Sequence, residues 1–479
     1  LPISEYQKRF FVEWALAPED SMYNVSSVFK ITGDLDKMAL KKACELFIQK
    51  HEICHARYNE DGSECYYGNY TINDFYHEID ISATIGSNHT TLKTQTQLNS
   101  DNYNNSHTIV QACITQDSNL NSDNHVYQKI RELLDKPFDV TKDVLLKFYL
   151  LCYESKNEYY FIHNAQHIIR DGVTSNLISK ETSFNYNLLL SNDNVTNSRD
   201  SSLGKIQANS TQHNVTQIEL FSQAIEQEQS IRTPEYKASA KDFWLSFIGD
   251  VPLNVELPYK SEYNPKELDT HQADKTGVFN YFDLDKETTQ ALKSYAKKNK
   301  ATLFVVISAL YGLLVSKYSN QQRLLLSYPI NMRPKGYADI AGCFVNNVPL
   351  KLELDKVSTL EELITNLTQQ RKEVRAYQGY SLTHIIEDQK KYNHSEVSNY
   401  FNVGIAQTNV NSIKLNLDGV TTESLDISWS SNVIDELSLM YDEYSEDTIK
   451  FKLSYRKALF NDELMNSFID SFKELINIV

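Results

Sequence analysis

Phe161-Ile162-His163-Asn164-Ala165-Gln166-His167-Ile168-Ile169-Arg170-Asp171-Gly172 is the stretch from which the rest of the chain can be read. The aromatic and β-branched run Glu158 to Ile162 predicts a strand, and Val173 to Glu181 predicts the start of a helix. His167 therefore falls on the turn where a strand leaves a sheet, with Asp171 as the helix N-cap. An imidazole at such a turn suits proton transfer beside a narrow opening. The carboxylate can hold the local geometry, and Gly172 lets a ligand approach the backbone closely. A capped turn carrying a surface histidine is the competing reading of this segment alone.

The chain has 479 residues, of which 41% are hydrophobic, enough for more than one sizeable core, so two lobes are expected. Its 47 basic and 63 acidic residues give a net charge of −16, which argues against nucleic acid as a partner. The 6 cysteines (Cys44, Cys54, Cys65, Cys113, Cys152, Cys343) lack paired spacing, so neither a disulfide framework nor a cysteine zinc site is indicated. A reducing cytoplasm fits that usage. Leu1 to Glu5 shows no secretory signal. The longest apolar run, Ala301 to Val315, falls short of the ~20 residues of a membrane span and predicts a buried helix, with no membrane partner expected.

In chain order, an aromatic-rich helix with Phe10, Phe11 and Trp14 precedes a strand at Val28 to Thr32 and an amphipathic helix from Leu35 to Lys50. A polar insertion at about 82–126 carries one short apolar run, Thr108 to Ile114. Val144 to Tyr153 is apolar throughout, as an interior strand is. A second polar stretch, 187–216, is the expected linker between lobes spanning 1–186 and 217–479. Beyond it, strands are predicted at Leu253 to Leu257, Gly277 to Leu284, Arg323 to Tyr328, Tyr400 to Ala406 and Ile449 to Arg456. Helices are predicted at Ile218 to Gln229, Lys237 to Ile248, 358–377 and Asp462 to Ile478. Asn346 and Asn347 stand between apolar neighbours, where a polar side chain either caps a turn or points into a cavity.

His51-Glu52-Ile53-Cys54-His55 matches the pattern in which two histidines one turn apart ligate zinc and a glutamate activates water. Lys50 fits poorly in a buried catalytic helix, and no third ligand follows downstream. The alternative is a helix C-terminus, where Lys and His complement the helix dipole.

Several separated segments resemble one family, the condensation domains of nonribosomal peptide synthetases. Pro2 to Phe10, Lys50 to Tyr58, Gln166 to Gly172, Phe221 to Gln229 with Phe243-Trp244, Ile340 to Asn347, and Leu453 to Phe460 are each similar to a family motif. The resemblance implies a mixed α/β fold, two chloramphenicol-acetyltransferase-like lobes arranged as a V-shaped pseudo-dimer. It also makes the His51 to His55 segment a family motif that binds no metal. No adenylation or carrier domain follows Val479, so a free-standing or excised domain is expected.

The implied activity is amide formation between a carrier-bound acyl or peptidyl thioester and an amine. Phosphopantetheine arms of donor and acceptor carrier domains would serve as tethers, with no permanently bound cofactor. The implied catalytic set is His167, Asp171 and Gly172, supported by Gln166, His55 and Arg57. Arg333 and Asn346 are the expected contribution of the second lobe to the substrate cavity, with strand-end hydrogen bonding as their competing role. No acyl-enzyme is expected, because no serine or cysteine nucleophile is paired with His167. Two residues depart from the family pattern: Gln166 replaces the first signature histidine, and His55 stands where an arginine usually pairs with the aspartate. His55 would pair with Asp171 only when protonated. The alternatives are an acyltransferase using an alcohol acceptor or a coenzyme A donor, a carrier-binding module without catalysis, and a zinc hydrolase built on His51, Glu52 and His55.

Overall fold

The computed structural model describes residues 3–82, 124–197, 220–262, 274–393, 400–408, 414–427 and 430–479. The apolar run Thr108 to Ile114, most of the polar insertion and residues 198–216 of the expected linker lie outside them. Among the described residues there are thirteen strands: β1 (Asn24–Gly33), β2 (Ala56–Tyr58), β3 (Cys65–Tyr67), β4 (Tyr76–Asp80), β5 (Leu146–Tyr153), β6 (Glu158–Gln166), β7 (Gly277–Asp283), β8 (Arg323–Asn331), β9 (Val345–Glu353), β10 (Val403–Gln407), β11 (Val420–Leu425), β12 (Leu437–Ser445) and β13 (Thr448–Arg456). Two larger sheets result. One has the order β11-β1-β6-β5-β4, the other β7-β13-β12-β10-β8-β9, and β2 pairs with β3 apart from both.

Local chemistry accounts for the helices that frame the sheets. Ser4 and Gln7 cap the helix Glu5–Leu16 reciprocally, the Ser4 side chain taking the Gln7 N–H while Gln7 takes that of Ser4. Asp36 caps Lys37–Lys50, and Asp171 caps Gly172–Asn197 by accepting from the Thr174 N–H at 3.0 Å. Leu303–Ser319 is buried almost all round, as its unbroken apolar run predicts. Among the described residues no single helix is long and apolar enough to cross a membrane.

Two expectations need correction. Leu253 to Leu257 joins no sheet; it bends at Leu253 and Asn254, and side chains take the central backbone groups, the Val255 N–H donating to Asn402 Oδ1 and the Val255 carbonyl accepting from Asn402 Nδ2. The helix expected over Leu35 to Lys50 ends at Lys50, and Glu52–His55 is a separate 3₁₀ turn, so His51 and His55 do not share the helical face that the zinc pattern needs. The second correction concerns the lobe boundary. The helix Gly172–Asn197 runs into the expected 187–216 linker. The core of the first sheet is completed by residues from beyond 217, among them Phe221, Ile225, Ile340, Phe344 and Leu417. β11 moreover pairs antiparallel with β1, with Val28 opposite Leu425 and Gly33 opposite Val420. A cut at residue 217 thus leaves the first core incomplete.

Candidate active site

β6 lies between β1 and β5, Asn24 opposite Gln166 and Leu146 opposite Ala165, so its end is held on both sides. The Gln166 side chain then accepts from the Ile168 N–H and caps the turn His167–Ile169. The His167 N–H donates to the Tyr23 carbonyl at 2.7 Å. From the first helix, Gln7 Nε2 donates to the Ile168 carbonyl at 2.9 Å, and Phe10 stacks on the His167 ring at 4.4 Å and 13°. The His167 imidazole is therefore fixed by its own turn and by the helix Glu5–Leu16. Burial pushes its pKa down to about 4, a bond to its own backbone and the nearby Asp171 only partly opposing that. It is a neutral base at pH 7.

Asp171 is buried and receives a bidentate Arg333, with Nη1 to Oδ2 and Nη2 to Oδ1 both at 2.7 Å. The Phe344 N–H adds a bond to Oδ2 at 3.0 Å. Burial alone would raise this carboxyl, but the Arg333 guanidinium and the Thr174 and Phe344 N–H groups outweigh it and hold it below the usual carboxylate range. Arg333 also donates to the carbonyls of Ile340 and Gly342 and lies over the Phe344 ring at 5.0 Å. The pair joins the turn after β6 to the segment between β8 and β9, 162 residues away in sequence. The aspartate thus has its arginine, supplied by the second half of the chain.

The other expected residues are distributed as follows. Gly172 lines the cavity beside His167, and a Cβ built there meets nothing within 4 Å, so the space above it is open. Gln166 caps the turn and does not line the cavity. His55 packs near Tyr70 and Phe75, and Arg57 lies over the Tyr70 ring at 4.7 Å; neither contacts Asp171. Asn346 hydrogen-bonds the carbonyls of Gln378 and Tyr380 and the Leu382 N–H, a structural cap, while its neighbour Asn347 lines the cavity. Around the zinc-like motif, His51 bonds Glu181 at 3.0 Å and Glu52 accepts from the Ser222 N–H at 3.0 Å. Among the described residues no three ligating side chains converge on a metal position.

The cavity holds about 320 Å³ and has walls from both sheets, Val25 and Ser26 of β1 on one side and Asn347 of β9 and Ile405 of β10 on the other, with Phe10, Tyr23, His167 and Asp435 reaching it from the flanking helix and turns. Burial raises Asp435 to about 6, with Arg9 opposing the rise. Arg9, Phe10, Tyr23, Asp435 and Arg170 are functional-site neighbours beyond those expected from the sequence. Arg9 and Phe10 lie in a motif already singled out, so a signal was present; for Asp435 none was. Arg170 is buried and donates to Ser175 Oγ at 2.8 Å and to the Val25 and His163 carbonyls at 2.9 Å, locking the turn to β1. A cysteine does stand beside the histidine: Cys343 Sγ lies 3.8 Å from His167 Nδ1. It is fully buried and does not line the cavity, and burial pushes its thiol pKa up, so it is no nucleophile there.

Comparison with known proteins supplies the family. The chain is 23% identical over its full length to tyrocidine synthase 3 of Brevibacillus parabrevis, but spans only 6% of that protein. The starter condensation domain of rhizomide synthetase, solved in complex with C8-CoA, matches 99% of the chain with a TM-score of 0.72 at 14% identity, and 94% of that domain is covered. The X-domain from teicoplanin biosynthesis, solved in complex with OxyB, matches 100% of the chain with a TM-score of 0.71 at 14% identity, and 93% of it is covered. These two likenesses establish the two-lobed fold. The family model described as Condensation domain matches residues 88–479, and with most of its length inside that match the chain belongs to the condensation-domain family.

Proposed function

We propose that this chain forms an amide bond between an acyl thioester and an amine, with His167 as the base. The observation that carries the reading is a neutral imidazole, pKa about 4, at a cavity walled by both halves of the chain. The amine nitrogen attacks the thioester carbonyl, the C–N bond forms, and His167 Nε2 takes the nitrogen's proton. Collapse of the tetrahedral intermediate breaks the C–S bond, and the same proton passes to the departing thiolate. Because a free α-amine has a pKa of roughly 7.7 to 8.0 and a thioester is already activated, the demand on the base is modest. Holding both reactants together supplies the larger part, an effect worth roughly 7–11 kcal/mol in favourable cases. Phosphopantetheine arms of donor and acceptor carrier domains are the expected tethers, entering the cavity from its two ends. Asp171 and Arg333 hold the turn, and the open space over Gly172 receives the thioester arm.

A second reading, a carrier-binding module without turnover, draws support from Gln166 and from the likeness to an X-domain solved with a protein partner. Intact-protein mass spectrometry on two loaded carriers, and on a loaded carrier with a free amine, separates the two. Wild type should give product, and His167→Ala should lose roughly 10²- to 10⁴-fold in rate. Equal product from both proteins removes His167 from the chemistry. Carrier binding with no product from wild type favours the module.

A further inference from the structure

A second cavity, of about 350 Å³, abuts the catalytic one and shares Arg9, Tyr23, Ser327, Ile434 and Asp435 with it. Its buried charges are answered, with one exception. Lys275 faces Asp20 at 3.4 Å, and Glu436 accepts from the Tyr259 hydroxyl at 2.6 Å and from Asn402 Nδ2 at 2.7 Å. Arg456, at the end of β13, is the exception: it is 5% exposed, its Nη2 donates to the Ile434 carbonyl at 3.1 Å, and its Nε and Nη1 have no acceptor. Among the described residues no carboxylate pairs with it. The Tyr400 hydroxyl, at the same cavity, has no partner either. A guanidinium held this deep without a counter-charge is costly, and an anion entering the cavity offsets the cost.

The anion that fits carries a single charge. Glu13, Asp435 and Glu436 line the same cavity, so a phosphate monoester, close to doubly charged at pH 7, meets more repulsion there than a carboxylate does. Arg456 lines only the second cavity and His167 only the first, with the shared residues between them. An α-amino acid, whose nitrogen and carboxyl carbon lie ~2.5 Å apart, is too short to cross that wall. We propose that Arg456 and Tyr400 form a carboxylate site, and that the amine presented to His167 belongs to a molecule with a free carboxylate many bonds away, a short peptide or an ω-amino acid. The identity of the amine rests on the amide-forming reading, whereas the carboxylate site does not.

The test is titration calorimetry of the full chain with triglycine and ε-aminocaproic acid, each beside its own carboxamide, followed by turnover of the same amines with a loaded acyl carrier. Wild type should bind at least one acid roughly tenfold or more tighter than its carboxamide. Arg456→Met keeps the length of the side chain without the charge, and should weaken binding of the acid and raise its KM by roughly 10- to 100-fold, with the carboxamide unaffected. Arg456→Lys should retain part of the preference, and it serves if the methionine variant does not fold. Three results overturn the proposal: neither acid binds, acid and carboxamide bind equally to wild type, or the preference survives in Arg456→Met. Arg456-dependent binding of phosphopantetheine in preference to both acids overturns it as well, since the anion would then be the phosphate of a tether. A wild type that binds the acid through Arg456 but forms no product counts against amide formation alone and supports the carboxylate site.

Discussion

At the scale of single residues, the site rests on a buried charge pair and a buried neutral base. The side chains of Arg333 and Asp171 are 3% and 6% exposed, so removing one partner leaves the other charged and uncompensated. Arg333→Ala should therefore lower stability by ~3–5 kcal/mol, read as a fall in denaturation midpoint at unchanged slope. Arg333→Lys should restore only part of it, because an ammonium cannot reproduce the two parallel bonds. The histidines set the pH dependence. The His167 pKa falls from an ordinary 6.5 to about 4 in the folded chain, and the fully buried His163 is lowered too, in both cases chiefly by burial. Between those values the unfolded chain binds more protons, so stability is full above pH 6.5 and declines as pH falls toward 4. Denaturation midpoints across that range should show the loss, and an NMR titration of His167 should bend near 4. A bend near 6.5 would mean the ring is better hydrated than its packing indicates.

At the scale of elements, the strand–turn–helix around His167 was legible because each part carries its own local signal: an apolar strand, a side-chain cap and a glycine at the helix start. β5, β6 and the helices Leu303–Ser319 and Asp462–Ile478 were legible for the same reason, each burying a wide face. β11 was not. Val420–Leu425 is mostly polar and stands at the edge of the first sheet, so it carries neither an apolar run nor a strong alternation. Its pairing with β1 is nonetheless one of the links that fasten the second half of the chain to the first sheet. Donors alternate along a strand, so of Thr421→Pro and Thr422→Pro one removes an N–H aimed at β1 and the other an N–H aimed away. The first should cost roughly 1–3 kcal/mol and speed hydrogen exchange at Lys30 and Thr32, whose N–H groups face β11, while the second stays near wild type. Equal effects from both substitutions would mean that this edge pairing bears little of the load.

At the scale of the whole molecule, two cores are joined by shared parts. β11, the helix Phe221–Ser230 and the segment 340–344 complete the first core from the second half of the sequence. Scanning calorimetry of the full chain should accordingly give one cooperative transition; two resolved transitions would show that these bridges are energetically minor. The sequence by itself determined the mixed α/β class, the His167 turn with its Asp171 cap, and the family resemblance. All of these rest on near neighbours in the chain, where periodicity, capping and turn chemistry act within a few residues. Only the tertiary structure decided which side chains meet. It gave Asp171 its partner in Arg333, set Cys343 against His167, turned Asn347 rather than Asn346 toward the cavity, and sent His55 and Arg57 to packing around Tyr70. The physical reason is distance along the chain: contacts between residues this far apart follow from how the sheets stack and the loops close, and local sequence pattern carries no record of that.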